Sequence, residues 1–146
     1  MSNRPSRHVS IRIARPWREV YDFLAVPANF KRWASGLGEL TQQADGTWHA
    51  QTPGGPMQVR FTPRNDFGIV DHYVLPPANS SSQGQPIYVP MRVLAAADGA
   101  EVVFTLFRLP DMTPEKFEAD AAWVEKDLKT LKALLEKIGG AGSTDA

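Results

Sequence analysis

Three histidines, His8, His49 and His72, are the residues of this 146-residue chain best suited to acid–base or metal chemistry. They lie far apart along the sequence, and none belongs to a His-x-x-x-His or carboxylate–histidine motif, so the spacing predicts no metal site. The chain has no cysteine, which excludes a thiol nucleophile, thiolate metal ligands and disulfides. A serine nucleophile and a phosphate-binding loop also lack their motifs. We therefore expect no cofactor.

His72 is the most informative of the three because it falls in an alternating segment flanked by Asn65-Asp66, a plausible hairpin turn. Pairing across that turn sets Phe61 opposite Val70, Met57 opposite Val74 and Arg60 opposite Asp71. It also turns His72 inward, opposite Val59. There it could anchor a ligand, transfer a proton, or simply be a core histidine bonded to backbone, and the sequence leaves all three open.

Asp98-Gly99 is the strongest hairpin signal in the chain. A two-residue turn there pairs Val93 with Phe104 and Met91 with Leu106 on an apolar face. Arg108 follows on the same face near a strand end, opposite Val89. It could pair with an anionic ligand group or extend its charged end to the surface.

The elements that must position these residues can be read from the pattern. Residues 9–13 alternate as a strand, two short helices follow around Pro16 and Pro27, and residues 39–109 read as six strands. Thr113 and Pro114 begin a long helix whose apolar stripe continues to Ile138, and Gly139 is expected to end it. Trp123 lies on the flank of that stripe, where we expect it to pack against the short helices.

These elements predict one α+β domain over residues 7–138, with disordered ends at 1–6 and 139–146. A curved antiparallel sheet of about seven strands would wrap around the C-terminal helix. Sixteen basic and sixteen acidic residues give no net charge, so nucleic acid is not an expected partner. No apolar run could span a membrane and no signal sequence is visible, so a cytoplasmic protein is expected.

Three segments resemble a known family. The run Arg-Pro-Trp-Arg-Glu-Val-Tyr-Asp-Phe-Leu (15–24), the run Pro-Ala-Asn-Phe-Lys-Arg-Trp (27–33) and the closing helix (114–138) are similar to small bacterial members of the START-like, or SRPBCC, superfamily. Residues 65–74 add to this likeness. The superfamily includes polyketide cyclases/dehydrases, Bet v 1-like allergens and START domains. The resemblance implies a helix-grip fold around a hydrophobic cavity.

The function expected from these observations is binding of a small hydrophobic or aromatic molecule between sheet and helix. A cyclase/dehydrase-like enzyme using His72, with Arg108 or Tyr73 in support, is the first alternative. A protein-interaction module like the co-chaperone members is the second. Monomer and homodimer stay open, as does a lid role for loop 76–86. The expected ligand-binding residues are His72, Arg108, Trp33, Met57, Phe61, Met91, Phe104 and Val124.

Overall fold

The computed structural model describes residues 4–36, 39–52, 55–76 and 85–144. Helix α1 spans Trp17–Leu24, a 3₁₀ helix spans Pro27–Arg32, and helix α2 spans Pro114–Thr144. The strands are β1 Ser6–Ile13, β2 Leu40–Gln42, β3 Trp48–Thr52, β4 Gly55–Phe61, β5 His72–Leu75, β6 Ile87–Val89, β7 Met91–Ala96 and β8 Gly99–Phe107. Most of loop 76–86, including any lid role, lies outside the described residues.

The strands form two antiparallel sheets with the orders β1-β8-β7 and β2-β3-β4-β5-β6. The apolar stripe of α2 faces the concave side, where Leu128, Leu131 and Leu135 join the buried core with residues of both sheets. The expected α+β architecture, an antiparallel sheet around one long C-terminal helix, is therefore confirmed. None of the helices in the described part of the chain is long and apolar enough to cross a membrane.

The strand count differs from the expected seven because Pro90 divides the segment 87–96 into β6 and β7. Proline has no backbone N–H to give to a ladder, so it interrupts strand pairing. Its carbonyl still accepts a hydrogen bond from Thr105 N at 2.9 Å. The break lets the chain pass from the five-stranded sheet into the three-stranded sheet.

The expected turn at Asn65-Asp66 is wrong, because residues 62–71 form a longer loop closed by the Asn65 side chain. Asn65 Oδ1 accepts hydrogen bonds from Phe67 N at 2.9 Å and Ile69 N at 3.1 Å. Gly68 adopts a φ of 71° there, and an added Cβ would lie 2.2 Å from the Val93 carbonyl oxygen. Only glycine fits this close approach.

The longer loop shifts the pairing, so that Phe61 lies opposite His72 and Val59 opposite Val74. The expected Phe61–Val70, Met57–Val74, Arg60–Asp71 and Val59–His72 pairs are therefore wrong. The shift is two residues, which leaves every side chain on its expected face of the sheet. His72 and Val74 are accordingly buried.

The second hairpin shows the same kind of shift. Its turn is Ala97-Asp98, with Ala97 at a φ of 53°, and Met91 pairs with Phe104 rather than Leu106. Gly99 instead begins β8, where an added Cβ would lie 2.8 Å from the Ile13 carbonyl oxygen. This glycine therefore permits a close strand approach, which the turn pattern alone could not indicate.

Both ends of the structured region extend beyond the expected limits. Ser6 pairs with Phe107, and the Pro5 carbonyl accepts a hydrogen bond from Arg108 N at 2.9 Å. At the other end, α2 continues past Gly139 to Thr144. A helical glycine costs about 1 kcal/mol relative to alanine, which does not by itself end a helix. Residues 1–3 and 145–146 lie outside the described residues.

Candidate functional site

A cavity of about 430 Å³ lies between the two sheets, the 3₁₀ helix with the segment after it, and α2. Most of its wall is apolar or aromatic, which is the usual character of a small-molecule site. The apolar wall is formed by Phe30, Trp33, Ala34, Gly36, Met57, Val74, Val89, Phe104, Leu106, Trp123 and Val124. The polar lining residues are Thr52, His72, Lys116, Asp120 and Asp127.

His72 lies at the bottom of this cavity inside a cluster of aromatic rings. Its imidazole centroid is 5.6 Å from the Phe30 ring, 5.8 Å from Phe61 and 6.3 Å from Phe104. The Phe30 ring meets the imidazole edge-on, at an interplanar angle of 85°. Strand β5 brings the histidine to this position, and only 3% of its surface is exposed.

The protonation state of His72 follows from this environment. Burial lowers the pKa of His72 to about 4, although its contact with the Val70 carbonyl and the charge of Asp71 act in the opposite direction. Nδ1 lies 3.4 Å from the Val70 carbonyl oxygen, so this nitrogen carries the proton of the neutral ring. The imidazole is therefore uncharged at neutral pH, and Nε2 is its hydrogen-bond acceptor.

Trp33 forms a second part of the wall, directly after the 3₁₀ helix. Its ring centroid lies 5.2 Å from that of Phe30, and the residue is only 3% exposed. Its indole Nε1 is buried without a hydrogen-bond partner among the described residues. An indole nitrogen can only donate, so this N–H requires an acceptor.

The mouth of the cavity is polar and is held by α2. Ser35 Oγ donates to Asp127 Oδ1 at 2.7 Å, Ser35 N donates to Asp127 Oδ2 at 3.1 Å, and Trp123 Nε1 donates to Ser35 Oγ. Burial raises the pKa of Asp127, although the two Ser35 hydrogen bonds oppose this. Beside them Lys116 forms an ion pair with Asp120 at 2.5 Å. Trp123 is 53% exposed, and its hydrogen bond goes to a residue after the 3₁₀ helix, so packing against the short helices stays a prediction.

The structure brings together most of the residues predicted to bind a ligand. Trp33, Met57, His72, Phe104 and Val124 line the cavity. Phe61 lies behind His72 in the aromatic cluster, and Met91 is fully buried in the core. Whether these residues bind a ligand stays a prediction.

Arg108 does not reach the cavity, and its expected role at the mouth is wrong. Strand β8 ends at Phe107, and Arg108 Nε donates to the Met112 carbonyl at 2.8 Å. Tyr73, offered as support for catalysis, points to the outer face of the sheet, where it is 41% exposed and stacks on Tyr88. Neither residue can assist His72.

Several lining residues were not singled out from the sequence. Phe30 sits in a short proline-initiated helix, whose packing direction local pattern does not reveal. Asp127 and Ser35 are far apart in the sequence, so no local sequence pattern could predict their contact. Strand alternation predicts that Val74 faces inward, although Val74 is not among the expected ligand-binding residues. No group of three or more histidine, aspartate or glutamate side chains suited to a metal occurs among the described residues.

Comparison with known proteins gives the fold a context. No family model and no curated protein sequence matches this chain. Solved structures do match: XoxI from Bacillus cereus is 14% identical with a TM-score of 0.70, covering 88% of this chain and 94% of that chain. A START superfamily protein from Mycobacterium smegmatis is 9% identical with a TM-score of 0.65, covering 91% and 98%.

The di-domain ARO/CYC protein BexL from the BE-7585A biosynthetic pathway is 17% identical, with a TM-score of 0.67. The match covers 90% of this chain and 46% of BexL. At such low identity these matches establish the fold alone. The chain therefore shares the fold of these solved structures, one of which is a START superfamily protein.

Proposed function

We propose that this protein binds a small hydrophobic or aromatic molecule in the cavity between the two sheets and α2. The observation that carries the proposal is the cavity itself, about 430 Å³ in volume, with a mostly apolar and aromatic wall. Small-molecule sites are typically clefts of this volume, with a mostly apolar lining and a few polar groups. An apolar molecule bound in this one would cover apolar wall that otherwise faces water.

The arrangement of the wall supports an aromatic guest in particular. The rings of Phe30, Trp33 and Phe104 line the cavity, and Phe61 closes the cluster behind His72. Aromatic rings favour offset or edge-to-face neighbours, which contribute beyond simple area burial. The neutral imidazole of His72 adds one polar atom that can orient such a guest without introducing a charge.

The geometry gives less support to a cyclase/dehydrase-like enzyme. That function would require a second polar side chain within hydrogen-bond reach of His72. Among the described residues, the ring's hydrogen-bond partner is a backbone carbonyl, that of Val70. With a pKa of about 4, His72 is also a poor proton donor at neutral pH. An interaction module would instead require a filled core, which the cavity does not provide.

Filling the cavity is expected to abolish binding. Val124 lies on α2 and lines the cavity, so Val124→Trp would place a bulky ring inside it. We expect the affinity for N-phenyl-1-naphthylamine, an uncharged probe that fluoresces in apolar surroundings, to fall at least about tenfold, or about 1.4 kcal/mol. Fluorescence titration measures this directly.

The matched control is Leu94→Trp. Leu94 lies on β7 and is 50% exposed, so the same indole is added at the outer surface. This variant should bind the probe as the wild type does. Equal affinities in Val124→Trp and Leu94→Trp, with both proteins folded by circular dichroism, would mean that the probe does not occupy this cavity.

A further inference from the structure

We propose that the ligand is an uncharged aromatic molecule whose hydroxyl group donates a hydrogen bond to Nε2 of His72. The inference rests on the proposed function and deepens it by naming the ligand class and the side chain that recognises it. Four features of the part of the chain that the structure describes carry it. They are an acceptor that borders the cavity, the lack of a protein partner for that acceptor, the charges at the wall, and the volume.

Nε2 of His72 borders the cavity. Nδ1, the ring nitrogen nearer to the strand, lies 3.4 Å from the Val70 carbonyl oxygen. Nε2 lies on the far side of the ring, at the tip of a side chain that lines the cavity. Trp33 Nε1 is the one partnerless side-chain nitrogen or oxygen among the described residues that is sealed from water. Nε2 is also partnerless but is not sealed, so a molecule in the cavity can touch it.

Within the described chain, no group donates a hydrogen bond to Nε2. The ring is enclosed by Phe30, Phe61 and Phe104, whose side chains have no polar hydrogen. Buried polar groups in native proteins nearly always have a partner, which for a group at a cavity is water or a ligand. A ligand that displaces such a water without offering a donor loses affinity. The site therefore favours a ligand that brings its own donor.

The proton of the imidazole decides what kind of group the ligand must present. A neutral imidazole has one N–H and one unprotonated nitrogen. Nδ1 faces a carbonyl oxygen, which can only accept, so the proton belongs on Nδ1. Nε2 can consequently only accept. A ketone or ether oxygen in front of it would bring two lone pairs together, whereas a hydroxyl group can donate.

The charges around the cavity select an uncharged ligand. Lys116 is the one cation among the described lining residues, and it already forms an ion pair with Asp120. A carboxylate in the apolar interior would lose its hydration without gaining a counter-ion, which is strongly unfavourable. An ammonium group at Nε2 meets the same difficulty, because burial at this position keeps the His72 ring itself uncharged at pH 7. A hydroxyl group donates without carrying a charge.

The volume limits the size of the aromatic system. A cavity of roughly 150 Å³ is enough to bind benzene. A cavity of about 430 Å³ accordingly accommodates two or three fused rings. 2-Naphthol meets these requirements, because it has two fused rings and one hydroxyl group, which as a phenol is uncharged at pH 7.

The test compares 2-naphthol with two close analogues by equilibrium dialysis at pH 7. Naphthalene lacks the hydroxyl group, and 2-methoxynaphthalene keeps the oxygen but has no donor. Each is measured on the wild type and on His72→Phe, which keeps an aromatic ring in the cluster but removes the acceptor. We expect His72→Phe to bind 2-naphthol at least about tenfold more weakly than the wild type does, the effect of one buried hydrogen bond. Its affinities for naphthalene and 2-methoxynaphthalene should stay within about twofold of the wild type.

The outcomes separate the role of His72 from the proposed function. The hydrogen bond to Nε2 is wrong, while the proposed function stands, if 2-naphthol loses no more affinity than naphthalene or if 2-methoxynaphthalene loses as much as 2-naphthol. The same holds if N-phenyl-1-naphthylamine binds and 2-naphthol does not. If 2-naphthoate binds the wild type as well as 2-naphthol does, the requirement for an uncharged ligand is wrong. If neither N-phenyl-1-naphthylamine nor any naphthalene binds, the proposed function itself fails.

A double variant, His8→Gln with His49→Gln, is the matched control and keeps the test decisive if His72→Phe does not fold. Neither residue lines the cavity, and the variant leaves His72 as the only histidine. It should bind 2-naphthol as the wild type does. After labelling with ¹⁵N-histidine, its unprotonated nitrogen signal belongs to Nε2, and 2-naphthol should move that signal upfield. 2-Methoxynaphthalene should not, and equal shifts with the two probes would overturn the inference.

Discussion

The free energy of unfolding of the wild type is expected to fall as the pH drops from 6.5 to about 4. Replacing His72 with phenylalanine is expected to abolish most of this fall. Burial lowers the pKa of His72 from 6.5 to about 4 in the folded state. Between these values the unfolded chain binds a proton that the folded protein does not, so stability falls as the pH falls. The full difference is about 3 kcal/mol. Phenylalanine preserves the ring contacts with Phe30 and Phe61 but cannot titrate.

Urea unfolding of the wild type and of His72→Phe at a series of pH values measures this effect. The difference between the two free energies of unfolding should change by about 3 kcal/mol across the window. If His72→Phe loses stability on acidification as steeply as the wild type, the folded-state pKa of His72 is not depressed and its place in the aromatic cluster is wrong.

Asp71→Ala is expected to destabilise the protein by about 2 kcal/mol, because it leaves the buried Met91 N–H without an acceptor and removes the hydrogen bonds from Tyr88 and from the half-exposed Arg92. Asp71 Oδ1 accepts hydrogen bonds from Met91 N at 2.8 Å and Arg92 Nε at 2.9 Å. Its Oδ2 accepts from Tyr88 and from Arg92 Nη2, both at 2.9 Å. The carboxylate therefore joins β6 and β7, the strands at which the two sheets meet.

The pKa of Asp71 describes the same network. Burial alone would raise this pKa, but the hydrogen bonds from Arg92, Met91 and Tyr88 outweigh burial and hold it below 3.8. Because the folded-state pKa is lowered, the ionised group stabilises the protein above that pH, and the contribution is lost as the pH falls through the folded-state value. This loss lies below the window in which His72 acts, so the two effects can be separated.

Urea unfolding at pH 7 tests the Asp71 prediction, with Arg60→Ala as the matched control. Arg60 is an exposed residue that the sequence-based register placed opposite Asp71, whereas the structure pairs it with Tyr73. Arg60→Ala should change the free energy of unfolding by less than about 0.5 kcal/mol. A large loss in Arg60→Ala together with a small loss in Asp71→Ala would favour the original register and contradict the network described here.

The sequence by itself determined the fold class and the inward face of the site. The alternation of polar and apolar residues placed His72, Met57 and Phe104 on the inner face, and the long apolar stripe predicted α2. These predictions were robust because a strand's side chains repeat every two residues, so a register error of two leaves each face unchanged. Both hairpins contained such an error.

The tertiary structure decided which inward residues meet and which groups are left unpaired. Strand alternation assigned Arg108 to the inner face, but the residue lies beyond the end of β8. There its side chain donates a hydrogen bond to the Met112 carbonyl. Asp71 contacts Arg92 because the loop closed by Asn65 and the break at Pro90 set the register of the neighbouring strands. The volume of the cavity depends on how far α2 stands from the sheet. That distance is set by contacts between residues far apart in the chain, which local sequence patterns do not encode.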